Sequence, residues 1–147
     1  MTTITGALNP VITMTQSNYE TLSRLAESWA SKDLEVSEFV WAELDRARVV
    51  EDRRISNDVV QIGSTVRYTT NTGDTRTVSL VFPGEADIAL GKVSVMTPIG
   101  AALIGLSPSQ SIEWTARDGR THKLTVEHVE KTDAILSERR HAGVLAA

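Results

Sequence analysis

The sequence predicts an α+β protein: a short antiparallel helical hairpin, then a twisted antiparallel sheet of four or five strands carrying one short helix. Three observations predict it. From Tyr19 to Ala47, apolar residues recur every three or four positions, the period of a helix with one buried face. Beyond residue 60 the period falls to two, and Asn71-Thr72-Gly73-Asp74 and Arg117-Asp118-Gly119 punctuate it as turns. Between the strands, Thr97-Pro98 supplies a cap and a first helical residue, and Gly105 supplies a stop.

Residues 1–14 are rich in Thr and read as a loosely structured leader, with room for one short strand through Val11-Ile12-Thr13. The first helix is expected to start near Ser17, because Ser17-Asn18-Tyr19-Glu20 fits a capping box. Tyr19, Leu22, Leu25 or Ala26, and Trp29 form its stripe, and Ser31-Lys32-Asp33 ends it. A second helix is expected from Glu35 to Val49, with Val36, Phe39, Val40, Leu44 and Ala47 inward. Each helix would be roughly 20 Å long at 1.5 Å per residue. Glu51-Asp52-Arg53-Arg54 reads as a polar linker. Strands are expected at 65–70, 75–82, 92–96, 111–116 and 120–129. The chain thus divides into a leader (1–14), a hairpin arm (15–50), a linker (51–60), a β-rich domain (61–130) and a tail of weak helical character (131–147).

Charge sets the first limits on function. The 147 residues carry a formal charge of −4, and residues 1–60 hold all of it, with 6 basic and 10 acidic side chains. Residues 61–147 balance at 9 and 9. Such a chain lacks the global positive charge that drives phosphate binding, so direct nucleic-acid binding is not expected. With no cysteine, disulfides and thiolate chemistry are excluded. No apolar run approaches the ~18 residues of a membrane span. Met1–Thr15 has no basic n-region of a secretory signal, so a cytoplasmic protein is expected. Most of the acidic excess falls on the hairpin, at Glu20, Glu27, Asp33, Glu35, Glu38, Glu43 and Asp45. Solvated helix faces are the simplest place for these carboxylates.

Three linked motifs carry a resemblance. Glu85-Ala86-Asp87, Gly91-Lys92-Val93-Ser94 and Thr97-Pro98-Ile99-Gly100-Ala101-Ala102-Leu103-Ile104-Gly105 stand without gaps in the order of an EAD triplet, a GKIS-type strand and an SPLGxALLG-type helix. This resembles the C-terminal signature of the Gre transcription elongation factors. Ala42-Glu43-Leu44-Asp45-Arg46-Ala47, Asp58-Val59-Val60 and the run from Ser94 to Leu106 are similar in more detail to a Gre-related subgroup, the regulators of nucleoside diphosphate kinase (Rnk). The resemblance covers about residues 15–130.

It implies an FKBP-like C-terminal domain that docks on RNA polymerase, and an N-terminal coiled-coil arm. Carried over by position, the implied docking residues are Asp87, Ser94, Thr97, Pro98 and Ile99. Thr97 stands where the Gre pattern has Ser; the capping hydroxyl is kept. In Gre factors, a pair of tip carboxylates in a DxxE-type arrangement helps hold a catalytic Mg²⁺. Here the tip offers Asp33 and Glu35, two apart, with Val36 at the third position. The expected arm is about half the length that a Gre-type arm needs. Metal binding and stimulation of transcript cleavage are therefore not expected, nor is any cofactor.

The expected function is a monomeric, non-enzymatic regulator. It would dock on the β′ subunit at the secondary-channel rim and compete with longer-armed factors. The rival reading is a peptidyl-prolyl isomerase or peptide-binding module on the FKBP-like fold. It needs an aromatic-lined pocket, and residues 61–147 hold only Tyr68, Phe82 and Trp114. Direct action on nucleoside diphosphate kinase has no residue to argue for it. His122 and His128, six apart on one strand, would share a face and, with Glu130, make a candidate metal set; ordinary strand histidines are the simpler reading. Trp29 falls on the core stripe. Trp41 falls off it, either exposed or packed on the β-rich domain. The pairs Arg53-Arg54 and Arg139-Arg140 read as solvated. The glycine-bounded run from Gly100 to Gly105 lacks the Lys-Ser/Thr of a phosphate-binding loop.

Overall fold

The computed structural model describes residues 9–116 and 118–130. Two helices come first: α1 (Gln16–Trp29) and α2 (Leu34–Arg46), bracketed by two short strands, β1 (Thr13–Thr15) and β2 (Arg48–Val50). The sheet follows, with β3 (Thr65–Thr70), β4 (Thr75–Val81), β5 (Lys92–Ser94), β6 (Ser111–Thr115) and β7 (Thr121–Glu130) in the order β5-β4-β3-β7-β6. The short helix α3 (Pro98–Leu103) lies between β5 and β6 in sequence. The tail, including Arg139-Arg140, and residues 1–8 of the leader lie outside the described residues.

The helices form where the apolar spacing places them, but their ends differ. Thr15, not Ser17, caps α1: its hydroxyl accepts from the Asn18 amide at 3.1 Å. Ser17 lies inside the first turn and turns outward to Asp52, to which it donates both its amide (3.1 Å) and its hydroxyl. Those two bonds, the hydroxyl's first, hold the Asp52 carboxyl below the usual carboxylate range. The polar linker is thereby clasped to the start of α1. The second helix stops at Arg46, three residues short of expectation. Arg48–Val50 instead pairs in parallel with Thr13–Thr15, and Arg48 donates to the Ile12 carbonyl at 2.8 Å. The β-branched Val49 and Val50 suit that strand better than a last helical turn.

The leader's second half is therefore part of the fold. Ile12 and Met14 are buried in the core. Asn9 bonds the Glu113 backbone through both ends of its amide, at 3.0 and 3.2 Å, covering an edge that β6 would otherwise expose.

The expected strands form within two residues of their predicted ends. One pairing departs from a purely antiparallel sheet: β5 runs parallel to β4. A longer crossover, through two 3₁₀ turns at Pro83–Glu85 and Ile88–Leu90, makes that possible.

One continuous core joins hairpin and sheet. Leu22, Ala26, Val36, Phe39, Val40 and Leu44 from the hairpin pack with Val66, Tyr68, Leu80, Ile112, Trp114, Leu124 and Val126 from the sheet, with Ala101–Leu103 from α3 and with Ile104 just after it. Burying each large aliphatic side chain contributes roughly 2 kcal/mol. The rings of Phe39 and Trp114 meet at 5.7 Å across the junction. The arm therefore lies against the sheet along its inner face.

Candidate protein-docking surface

The surface is built around the step from β5 into α3. The Ser94 hydroxyl accepts from the Met96 amide at 3.0 Å. The Thr97 hydroxyl donates to the Ser94 carbonyl (2.7 Å) and accepts from the Gly100 amide (3.1 Å). One hydroxyl thus fastens the helix start to the strand end and caps the helix as expected. Gly100 permits the approach: a Cβ there would lie 2.0 Å from the Ser94 carbonyl oxygen. Gly105, at φ 83°, follows the last helical residues as the expected stop.

These contacts sort the implied docking residues. Pro98 is exposed and Ile99 half-buried at the helix start, and Thr97 stands beside them. Ser94 is 8% exposed, and its hydroxyl is used internally. Asp87 is exposed and makes a turn: its side chain accepts from the Ala89 amide at 3.1 Å, and its backbone exchanges two bonds of 2.9 Å with Lys92.

That turn displays two apolar side chains the sequence reading did not single out. Ile88 is 86% exposed and Leu90 is 68% exposed. Tyr68, Val78, Ile88, Val93, Pro98 and Ile99 line an open groove of about 600 Å³ between the turn, the inner face of the sheet and the start of α3, with Arg76 at its side. Burial raises the Tyr68 phenol above its ordinary pKa, and Arg76 opposes the shift. The available signal was the pair of large aliphatics in Ile88-Ala89-Leu90, held in a loop too short to bury them.

The arm tip has local duties. Asp33 is the N-cap of α2, accepting from the Val36 amide at 3.2 Å. Glu35 is half-buried and lines a crevice with Phe39, Pro98 and Trp114. The tip thus sits beside Pro98 and not far out from the sheet.

Glu43 corrects the expectation of a solvated carboxylate. It is fully buried and takes a two-pronged pair from Arg46, at 2.8 and 3.0 Å. Burial raises its pKa to about 7 against the opposing pull of Arg46. Arg46 also donates to the Pro10 carbonyl at 2.8 Å, so the Ala42–Ala47 motif ties helix to leader.

The two histidines do not share a face. A bulge in β7 places Glu127 as an extra residue between the pairs Arg67–His128 and Tyr68–Val126, which reverses the alternation. His122 points inward and stacks on Trp114 at 5.3 Å; His128 is exposed, 3.2 Å from Glu130. Glu127 faces Arg67 at 3.3 Å on the outer face. Among the described residues, no three His, Cys, Asp or Glu side chains gather where they could hold a metal ion. No helix there is long and apolar enough to cross a membrane. Trp29 packs against the core with Lys32 over its ring at 4.5 Å, and Trp41 is 38% exposed. Arg53 and Arg54 are exposed and pair with Glu51.

Comparison with known proteins adds an independent line. The model of the C-terminal domain of the GreA/GreB transcription elongation factors matches residues 55–131. A regulator of nucleoside diphosphate kinase from Escherichia coli is 33% identical over 122 residues, covering 82% of this chain and 90% of that one. A transcription elongation factor GreA from Azorhizobium caulinodans is 36% identical over 98 residues, covering 63% of this chain and 62% of that one. Among solved structures, a prokaryotic transcription elongation factor GreA/GreB from Nitrosomonas europaea superposes with a TM-score of 0.64 at 30% identity. That match covers 81% of this chain and 98% of that one.

Proposed function

Because this chain belongs to the GreA/GreB transcription elongation factor family, with its Rnk-type regulators among its relatives, we propose that it is a regulator that binds RNA polymerase. In this reading, the sheet and α3 form an FKBP-like docking domain that sits on the β′ rim of the secondary channel. The hairpin is a short coiled-coil arm that occupies the channel mouth. The protein works as a cytoplasmic monomer, competes with longer-armed Gre-type factors, and does not stimulate transcript cleavage.

The observation that carries the docking reading is the exposed Ile88–Leu90 turn, capped by Asp87 and set beside Pro98 and Ile99. Large aliphatic side chains held outward by a capped turn gain free energy when a partner covers them. Asp87, Thr97, Pro98 and Ile99 are the proposed contacts, and Ser94 supports them from within.

Arm length supports the absence of cleavage activity. Helices of 14 and 13 residues span roughly 20 Å. Mg²⁺ needs one or two carboxylates delivered to it with room for waters. Asp33 is committed to capping α2, and Glu35 faces the crevice beside Pro98. The isomerase reading has less support: Trp114 is core, packed on Phe39, and Tyr68 is the one aromatic lining the groove.

The test is binding of the purified chain to core RNA polymerase, repeated with Asp87→Lys and Pro98→Ala. Weakened binding in these variants, with no acceleration of cleavage in backtracked complexes, is expected. Undiminished binding would reject the docking surface. Cleavage that disappears on Asp33→Ala would reject the passive arm.

A further inference from the structure

The outer face of α2 carries a second apolar and charged surface, separate from the groove. Leu34, Glu38, Trp41 and Asp45 follow one another at intervals of four, three and four. At 3.6 residues per turn they fall within about 60° of arc. Val36, Val40, Glu43 and Leu44, which are buried, lie on the other side of the helix. Leu34 is 56% exposed and Trp41 is 38% exposed. Glu38 and Asp45 are exposed, and neither they nor Trp41 has a polar or ring partner among the described residues. The stripe therefore alternates apolar anchors with carboxylates that have no partner among the described residues, along the length of α2.

Charge decides what fits it. A second copy of the chain would set Glu38 and Asp45 against their own images, on a hairpin that also exposes Glu20 and Glu27. Of the hairpin's own cations, Arg46 is held by Glu43 and Lys32 lies over Trp29, which leaves the exposed Arg24 against the exposed Glu20, Glu27, Glu38 and Asp45. An arginine- or lysine-bearing segment fits well. Its aliphatic stems cover Leu34, a cation stacks on the indole of Trp41, and neighbouring cations pair with Glu38 and Asp45.

We propose that the Leu34–Glu38–Trp41–Asp45 face of α2 is a second contact surface, which receives a basic segment of the RNA polymerase protein surface. This rests on the polymerase binding proposed above and adds to it the side of the arm that makes contact.

The experiment measures binding of the full chain to core RNA polymerase for Trp41→Ala, for Trp41→Phe, and for the double change Glu38→Lys with Asp45→Lys, at low and high salt. Trp41→Ala is expected to weaken binding at least about fivefold, as loss of an aromatic anchor does, and Trp41→Phe to retain most of it. The charge reversal should weaken binding at low salt and flatten its salt dependence. A photo-crosslinking residue at position 41 should form an adduct with a polymerase subunit, a readout that needs no stability comparison. If the position 41 and charge variants bind like the wild type while Ile88→Asp weakens binding, the second surface is refuted and the docking reading stands. If the unaltered chain does not bind polymerase, both fall. A Trp41-dependent dimer in sedimentation would assign the face to a second copy and overturn the proposal.

Discussion

The ring of Phe39 lies 5.7 Å from the ring of Trp114, tilted by 57°, and this contact joins the helical hairpin to the sheet. His122 also stacks on Trp114, at 5.3 Å. We expect Phe39→Ala to lower unfolding stability by about 3–5 kcal/mol, since the ring is 5% exposed and a cavity would remain. Urea unfolding followed by Trp fluorescence checks this. A loss under about 1 kcal/mol would mean that hairpin and sheet are not packed as described.

Glu43 makes stability depend on pH in an unusual direction. Its folded pKa, about 7, lies above its unfolded value near 4.5 because burial outweighs the attraction of Arg46. The folded state therefore holds more protons than the unfolded one between those values. This stabilisation is full below about pH 4.5 and is lost as pH rises through 7. We expect Glu43→Gln, which cannot ionise, to be relatively more stable at pH 8 than at pH 5 when each is compared with the wild type. The difference should be on the order of 1–3 kcal/mol. Chemical denaturation at the two pH values measures it, and equal differences would refute the assignment.

Gly100→Ala is expected to distort the docking surface without touching a partner. The new methyl would meet the backbone of Ser94 and Val95, at 2.0 and 2.8 Å, so α3 must move off β5. We expect a loss of about 1–3 kcal/mol from overpacking. Polymerase binding should weaken beyond what the unfolded fraction explains. Melting curves and binding measured on the same preparation separate the two effects.

Thr97→Ala removes both bonds of the capping hydroxyl and should cost about 1 kcal/mol, whereas Thr97→Ser should cost little. Thermal unfolding of the pair distinguishes a cap from a methyl packing contact.

Ile88→Asp and Leu90→Asp should leave stability within about 0.5 kcal/mol of the wild type, because both side chains are already in water. Both should weaken binding to RNA polymerase. Unfolding curves and a binding titration check the two halves of this expectation.

What the sequence determined by itself was local. Apolar spacing within α1 and α2, the Thr97-Pro98 start and Gly105 end of α3, and the turns between strands each lie within a stretch no longer than the 14 residues of α1. Their physical causes, caps, glycine φ and alternation, act over that range. The motif around α3 likewise showed the family and most of the candidate surface.

The tertiary structure decided everything that needed a distant partner. Pairing with Thr13–Thr15 drew Arg48–Val50 out of α2. A bulge at Glu127 turned His128 away from His122, because one inserted residue reverses every side chain after it. Glu43 looked solvated, yet Arg46 and the covering leader make it a buried pair. Ser94 carried the right motif but turned its hydroxyl inward, while Ile88, outside any motif, stood exposed. Burial and pairing depend on which residues the fold brings together: Thr13 pairs with Arg48, and Arg46 reaches Pro10 across 36 positions, a separation no short window of sequence spans.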